Sequence, residues 1–257
     1  MELASAIAST LMRSAQPPPQ SMRPAETEQA HRVTGCAACN WTGYYTLDVP
    51  TIDPRFGRAF ICECQASTIS ARMQAACNLT DAERKLRLDK IRTANRPGTQ
   101  EMIGAARAFV KESRGILTLW GGVGNAKTVV LQAVVNECIM AGVPAVYVTF
   151  AELLDWIKES YEDGCADSTM ARKNKAATVR VLAIDEMDKV KRTEWVNEFQ
   201  SDILDRRYRL GLSGQAGTVL AMNKSPEEMP EWIASRLADG RNRIVENQDS
   251  DLRPMMT

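Results

Sequence analysis

A strand-forming run, Ile116-Leu117-Thr118-Leu119-Trp120, leads directly into Gly121-Gly122-Val123-Gly124-Asn125-Ala126-Lys127-Thr128, and an apolar segment at 129–140 follows. A glycine-rich turn between a strand and a helix converges successive backbone N–H groups on one point. The helix N-terminus adds partial positive charge there, so the arrangement suits phosphate oxygens. Lys127 would reach the outer phosphates of a nucleoside triphosphate, and the Thr128 hydroxyl would ligate magnesium. The residues from Gly121 to Val129 are therefore the candidate nucleotide cradle. Ala126 stands where this motif ordinarily has glycine before the lysine. Alanine takes helical dihedrals freely, so residue 126 is expected in the first helical turn.

A second apolar run at 179–184 ends in Asp185-Glu186, which puts adjacent carboxylates at the C-terminal end of a buried strand. Ligands of open α/β sheets bind at such ends. Asp185 would hold magnesium through its water shell, while Glu186 would orient and deprotonate an attacking water. The strand expected at 218–222 ends in Asn223, which either holds that water against the γ-phosphate or only forms a turn. Further on, Arg236, Arg241 and Arg243 offer guanidinium groups suited to spread transition-state charge. In a monomer they are surface charges; across a subunit interface one of them would act on a neighbour's nucleotide.

Cys36-x-x-Cys39 and Cys62-x-Cys64 form two tight pairs, the spacing of a four-thiolate zinc ribbon or knuckle. Trp41, Tyr44, Tyr45, Phe56 and Phe60 between them would supply a small apolar cap, with Gly43 and Gly57 permitting turns. Aliphatic residues are too few there for a self-sufficient core, so bound metal would supply most of the folding energy. The alternative is four thiols in a loose segment. His31, the only histidine, offers no open catalytic triad, which makes the zinc structural. Cys77, Cys138 and Cys165 are solitary, and core packing accounts for Cys138.

These groups need a scaffold, and the pattern around them supplies one. Helices are expected at 99–112, from 127, at 151–161 and at 193–210, alternating with strands at 116–120, 143–149, 179–184 and 218–222. That order implies an α/β fold, a parallel sheet with helices on both faces. A Pro-rich stretch makes 1–30 a flexible arm, 31–66 the zinc module and 67–96 a linker helix with Thr80 as N-cap. Asn95-Arg96-Pro97-Gly98 would break that helix, leaving 97–257 as the catalytic domain. Formal net charge is zero, with 32 basic against 32 acidic residues, so nucleic-acid contact would have to come from local patches. Candidates are Arg172-Lys173-Asn174-Lys175 and Arg206-Arg207-Tyr208-Arg209, each of which reads equally as a solvated face. No run approaches the roughly 18 to 20 apolar residues of a membrane span and no leader peptide is evident, which points to the cytoplasm.

Taken together, the Leu-Trp-Gly-Gly-Val-Gly loop, the Val-Leu-Ala-Ile-Asp-Glu strand, Arg207-Tyr208 near the end of a long helix, Asn223 and Ser235-Arg236-Leu237 resemble the AAA+ ATPases of the helicase-loader group, the DnaC and DnaI proteins, and their IstB-type transposition relatives. The resemblance runs over roughly residues 97 to 253. By it Lys127 and Thr128 correspond to Walker A, Asp185 and Glu186 to Walker B, Asn223 to sensor 1 and Arg236 to the arginine finger. Asp251-Leu252-Arg253 is similar to a terminal arginine motif of these families. The resemblance implies an ATP- and magnesium-dependent homo-oligomeric motor, an open or helical ring that grips single-stranded DNA and delivers a DnaB-type replicative helicase to it. Zinc modules ahead of the motor also occur in DnaI-like loaders, where they bind partners. The rival implications are a transposition ATPase that marks duplex target DNA, and a nucleotide-gated adaptor that scarcely hydrolyses ATP.

Overall fold

The computed structural model describes residues 39, 42, 44–51, 53, 56–62, 71–161 and 168–251. The expected arm, His31, Cys36, Cys64 and Cys165 lie outside them. The chain divides into two compact units, one spanning 13–72 and the other containing 73–257.

In the smaller unit, β1 (Tyr44–Thr46) pairs antiparallel with β2 (Ala59–Ile61), Tyr45 opposite Phe60. Cys39 precedes the pair and Cys62 follows it, and both are buried. Thr42 closes a turn on Cys39, donating from its backbone N–H (3.0 Å) and its hydroxyl (2.6 Å) to the Cys39 carbonyl. Tyr44, Tyr45 and Phe56 do not form the expected apolar cap; all three are exposed. Tyr44 and Tyr45 follow one another in β1 and so point to opposite faces, and a pair of three-residue strands buries neither of them.

The larger unit is a five-stranded parallel sheet in the order β4-β5-β6-β3-β7, built from β3 (Gly115–Gly121), β4 (Ala145–Thr149), β5 (Val181–Asp185), β6 (Gly217–Met222) and β7 (Arg243–Asn247). Successive strand residues point to opposite faces. Leu117, Leu119, Ala183, Val219 and Ala221 accordingly join one core with α1 (Pro97–Glu112) and α2 (Lys127–Met140). Ile116, Leu182, Ile184, Leu220 and Met222 join the other, beneath α3 (Phe150–Lys158), α4 (Thr169–Thr178), α5 (Glu194–Leu212) and α6 (Glu231–Leu237). The expected α/β sheet is present, with β7, α4 and α6 added. Cys138 is fully buried in the first core, and burial pushes its thiol up to about 12.

The helix expected over 67–96 is not what the described part of that segment forms. Residues 71–75 are helical, but 3-10 turns follow at Glu83–Lys85 and Leu88–Lys90, and Cys77, Leu79 and Leu88 are buried in the same core as α1 and α2. Thr80 and Glu83 do make the reciprocal cap bonds. What replaces the helix is tertiary bonding. Asn136 on α2 donates to the carbonyls of Glu83 (2.8 Å) and Leu86 (3.0 Å), and Glu137 accepts from the Leu88 N–H (2.9 Å). Cys77 and Asn78 also cover the outer edge of β4, where the Tyr147 N–H donates to the Cys77 carbonyl and the Asn78 side chain donates to the Tyr147 carbonyl. Residues 77–90 are thus part of the sheet domain, and they close an edge that would otherwise invite another strand.

Candidate nucleotide site

The C-terminal ends of β3, β5 and β6 open on one cleft of about 230 Å³, lined by Val123 to Val129 from the loop after β3, by Asp185, Glu186, Asp188 and Lys189 after β5, and by Met222 and Asn223 at the end of β6. Strands β4 and β7 occupy opposite edges of the sheet, so the chain reverses its progression around β3, and the cleft lies where open α/β sheets take ligands.

The loop after β3 curls around its own lysine. Lys127 is 7% exposed and donates from Nζ to the carbonyls of Gly121 (2.8 Å) and Gly122 (2.6 Å) and to Asn125 Oδ1 (2.9 Å). Phosphate oxygens entering the loop would exchange with these acceptors. Thr128, one residue into α2, is exposed at the cleft. Ala126 is not in the first helical turn. It is the N-cap of α2 and holds left-handed dihedrals, φ 71° and ψ 9°. Glycine accepts that conformation freely, whereas an L-residue pays about 1–2 kcal/mol for it.

A strap beyond the reach of the sequence motifs fixes this loop. Asn125 donates from Nδ2 to the Asn247 carbonyl (2.8 Å), and Asn247 returns a bond from its own Nδ2 to the Asn125 carbonyl (2.9 Å); both side chains are buried. Two residues on, Asp249 caps α1, accepting from the N–H groups of Gly98 (3.1 Å) and Thr99 (2.7 Å) and from the Thr99 hydroxyl (2.6 Å), with Arg96 3.8 Å away. Burial opposes ionisation of Asp249, but the bonds from Thr99 and Gly98 and the Arg96 charge outweigh it and hold its carboxyl below the usual range. Thus the end of β7 ties the phosphate loop to the start of α1.

Across the cleft Asp185 is buried, accepting from the Tyr147 hydroxyl at Oδ2 (3.1 Å) and from the Glu186 N–H at Oδ1 (2.8 Å). Burial, then the Asp185 charge, drives the Tyr147 phenol well above its ordinary value, so it stays protonated and donates to the carboxylate. Each Asp185 oxygen keeps a lone pair for a magnesium water shell, so Thr128 and Asp185 fit the ion. Glu186 is also left-handed, φ 55°, and pairs through Oε1 with Lys189 Nζ at 2.5 Å. Asn223, at the end of β6, lines the same cleft.

Arg236 is not brought to this cleft. It sits in the last turn of α6, its Nε and Nη2 on Asp205 Oδ1 and its Nη1 on the Trp232 carbonyl. Arg241 is bound to Asp239, and Arg243 belongs to β7, 3.9 Å from Glu101. Of the basic runs, Arg207 is fully buried. It donates to Thr218 Oγ1 (2.7 Å) and to the carbonyls of Ala176, Ala177, Val179 and Gly217, pinning α4 and α5 to β6. Burial lowers its pKa to about 9, which leaves it charged at neutral pH. Arg172 is buried on the Trp156 carbonyl, while Arg206 and Lys173 both reach Asp202. Arg172 and Arg207 are therefore structural cations, not a DNA grip.

Among the described residues no group of three or more His, Cys, Asp or Glu side chains is arranged around a metal position. Two of the four expected zinc ligands, Cys36 and Cys64, fall outside those residues, and the two within, Cys39 and Cys62, are buried at either end of the hairpin. No helix among the described residues is long and apolar enough to cross a membrane.

Residues 117–240 match the family described as ATPase family associated with various cellular activities (AAA). The chain is 24% identical over 146 residues to the replicative helicase loader DnaC of Escherichia coli K12, across 55% of this chain and 57% of that protein. It is 26% identical over 162 residues to the phage-like element PBSX protein XkdC of Bacillus subtilis 168, across 58% and 59%. The chain thus spans a little over half the length of these curated relatives. A crystal structure of the DnaC helicase loader superposes with a TM-score of 0.56 at 18% identity, covering 66% of this chain and 100% of that one, a likeness of fold.

Proposed function

We propose that this chain, which carries an AAA ATPase domain over residues 117–240, hydrolyses ATP and uses it to load a replicative ring helicase onto single-stranded DNA. The hydrolytic half rests on one observation: the phosphate loop with Lys127 and Thr128 faces Asp185, Glu186 and Asn223 across a single cleft. Lys127 exchanges its loop carbonyls for the outer phosphates, and Glu186 exchanges Lys189 for the attacking water, which Asn223 holds in line. Thr128, and Asp185 through water, would hold magnesium, which would supply charge neutralisation on the phosphates. Arg236 lies outside its own cleft, so its guanidinium would serve the nucleotide of a neighbouring copy in a homo-oligomer.

Similarity to a protein named as a replicative helicase loader supports the loading half. The buried Cys39 and Cys62 support zinc held with Cys36 and Cys64, and the exposed Tyr44, Tyr45 and Phe56 give that module a face for the helicase. Metal analysis of the purified chain should find one zinc, lost when Cys36 and Cys39 are replaced by serine. A second reading, an adaptor gated by bound ATP with little turnover, is favoured by Ala126 in a left-handed position that the motif ordinarily gives to glycine.

The test is turnover and nucleotide binding, followed by co-elution with the host's ring helicase in ATP and in ADP. Lys127→Ala should lose nucleotide binding, Glu186→Gln should bind ATP without hydrolysing it, and Arg236→Ala should bind but not turn over. Tight binding with negligible turnover in the unaltered chain selects the adaptor. Separate elution from the helicase in both nucleotides removes the loading half.

A further inference from the structure

The cleft holds an acidic side chain that the motifs leave without a role. Asp188, three residues after Asp185, accepts at Oδ2 from the backbone N–H groups of Asn223 (3.1 Å) and Lys224 (3.0 Å). Strand β6 stops at Met222, so neither amide has a ladder partner, and one carboxylate takes both. In the opposite direction the Met187 N–H donates to the Ala221 carbonyl (3.1 Å). The turn carrying Glu186 is thereby fastened to the strand end carrying Asn223. The other oxygen, Oδ1, is buried and has no hydrogen-bond partner. An orphaned buried carboxylate oxygen is a costly arrangement, and here it belongs to a residue that lines the cleft.

Resting on the ATPase reading above, we propose that Asp188 is a positioning residue for hydrolysis: through the two amides it fixes Asn223 relative to Glu186. On this assignment it acts on the geometry of hydrolysis and not on nucleotide affinity. A misplacement of about 1 Å costs up to about 100-fold in rate when it disturbs an in-line geometry.

The experiment compares Asp188→Ala, Asp188→Asn, Asn223→Ala and the double variant Asp188→Ala/Asn223→Ala, with kcat and KM for ATP measured for each. The expected result is a kcat about 10- to 100-fold lower in Asp188→Ala with KM within about threefold, most of it restored in Asp188→Asn, whose carbonyl still accepts both amides. The double variant should be no slower than Asn223→Ala. Unchanged kcat in Asp188→Ala, or losses that multiply in the double variant, would overturn the assignment. If Asp188→Ala does not fold, Asp188→Asn decides: near-normal kcat sustains the clamp, and a loss as deep as that of Glu186→Gln refutes it. A chain that hydrolyses nothing removes the ATPase reading. Amide exchange at Asn223 and Lys224 then judges the clamp: faster exchange in Asp188→Ala or, should that not fold, unchanged exchange in Asp188→Asn upholds it, and the opposite result in the folded variant ends it.

Discussion

The two loops that face each other across the cleft are held in opposite ways. The phosphate loop is packed inward: Asn125 is 1% exposed and Lys127 7%, and the loop is bonded to β7 from both sides of Asn125. The turn after β5 is fastened to β6 through Met187 and Asp188, but its outer side chains stay open, those of Glu186 and Lys189 being 43% and 50% exposed and joined to each other at their tips. A surface ion pair of that kind contributes at most about 1 kcal/mol and exchanges readily. On the proposed ATPase reading, the loop that would present N–H groups to phosphate is built before the ligand arrives, while the Glu186 side chain that would take up a water is left free to move.

The contrast breaks most severely at Gly121. Its φ of 136° is one that L-residues rarely adopt, and a Cβ there would collide with the Asn247 backbone carbonyl, which the sheet holds in place. Gly121→Ala should therefore cost at least about 3 kcal/mol, from the dihedral and from the displaced β3–β7 register together. The measurement is urea denaturation beside nucleotide binding, with both expected to fall. A variant of normal stability would mean that β7 does not hold the loop.

Next in size is Asn247→Ala. It keeps the backbone carbonyl that Asn125 uses but removes the amide on the Asn125 carbonyl and the oxygen that accepts the Asp249 N–H (2.8 Å). Two buried groups left unpaired should cost about 2–4 kcal/mol. Nucleotide affinity should fall with stability, whereas the same readouts for Lys189→Ala should stay within about 1 kcal/mol.

How legible the two loops were in the sequence follows from what holds them. The strand, loop and helix at 115–140, the Asp185-Glu186 strand end and Asn223 were legible because each is a local pattern, a strand running into its loop. The strap was not. Asn125 and Asn247 are 122 positions apart, and Asn247-Gln248-Asp249 has the composition of an ordinary turn. Strand β7 was hidden for a related reason: Arg243, Ile244 and Glu246 are all exposed and only Val245 and Asn247 are buried, charged residues being common on edge strands, and the arginine drew a catalytic reading. Arg207 shows the same limit from inside. An arginine among Arg206 and Arg209 reads as surface charge, and only the carbonyls of 176, 177, 179 and 217, gathered by the fold, make it a core residue.

A smaller effect probes the strap by pH. Because Asp249 has its carboxyl held below the usual range in the folded chain, its contribution is complete above the ordinary aspartate value and is lost as the pH falls through the depressed one. Asp249→Asn should cost about 1–2 kcal/mol at pH 7, one acceptor being exchanged for a donor beside the Thr99 hydroxyl. It should also flatten the acid limb of the stability curve. An acid limb as steep as that of the unaltered chain would place the titrating group elsewhere.

The smallest expected change is a gain. Ala126 pays about 1–2 kcal/mol for left-handed dihedrals that glycine takes without strain. Glycine also widens the unfolded ensemble, which returns about 0.5–1 kcal/mol of that gain. Ala126→Gly should therefore stabilise the chain by up to about 1 kcal/mol, read as a higher urea midpoint with an unchanged slope. Nucleotide binding should tighten by a few-fold if the strain is partly released when the loop adjusts to phosphate. The same variant bears on turnover: higher stability with unchanged kcat makes residue 126 a tolerated departure from the motif. A marked rise in kcat would mean that strain in the rigid loop, and not the Lys189 pair in the open one, restrains hydrolysis.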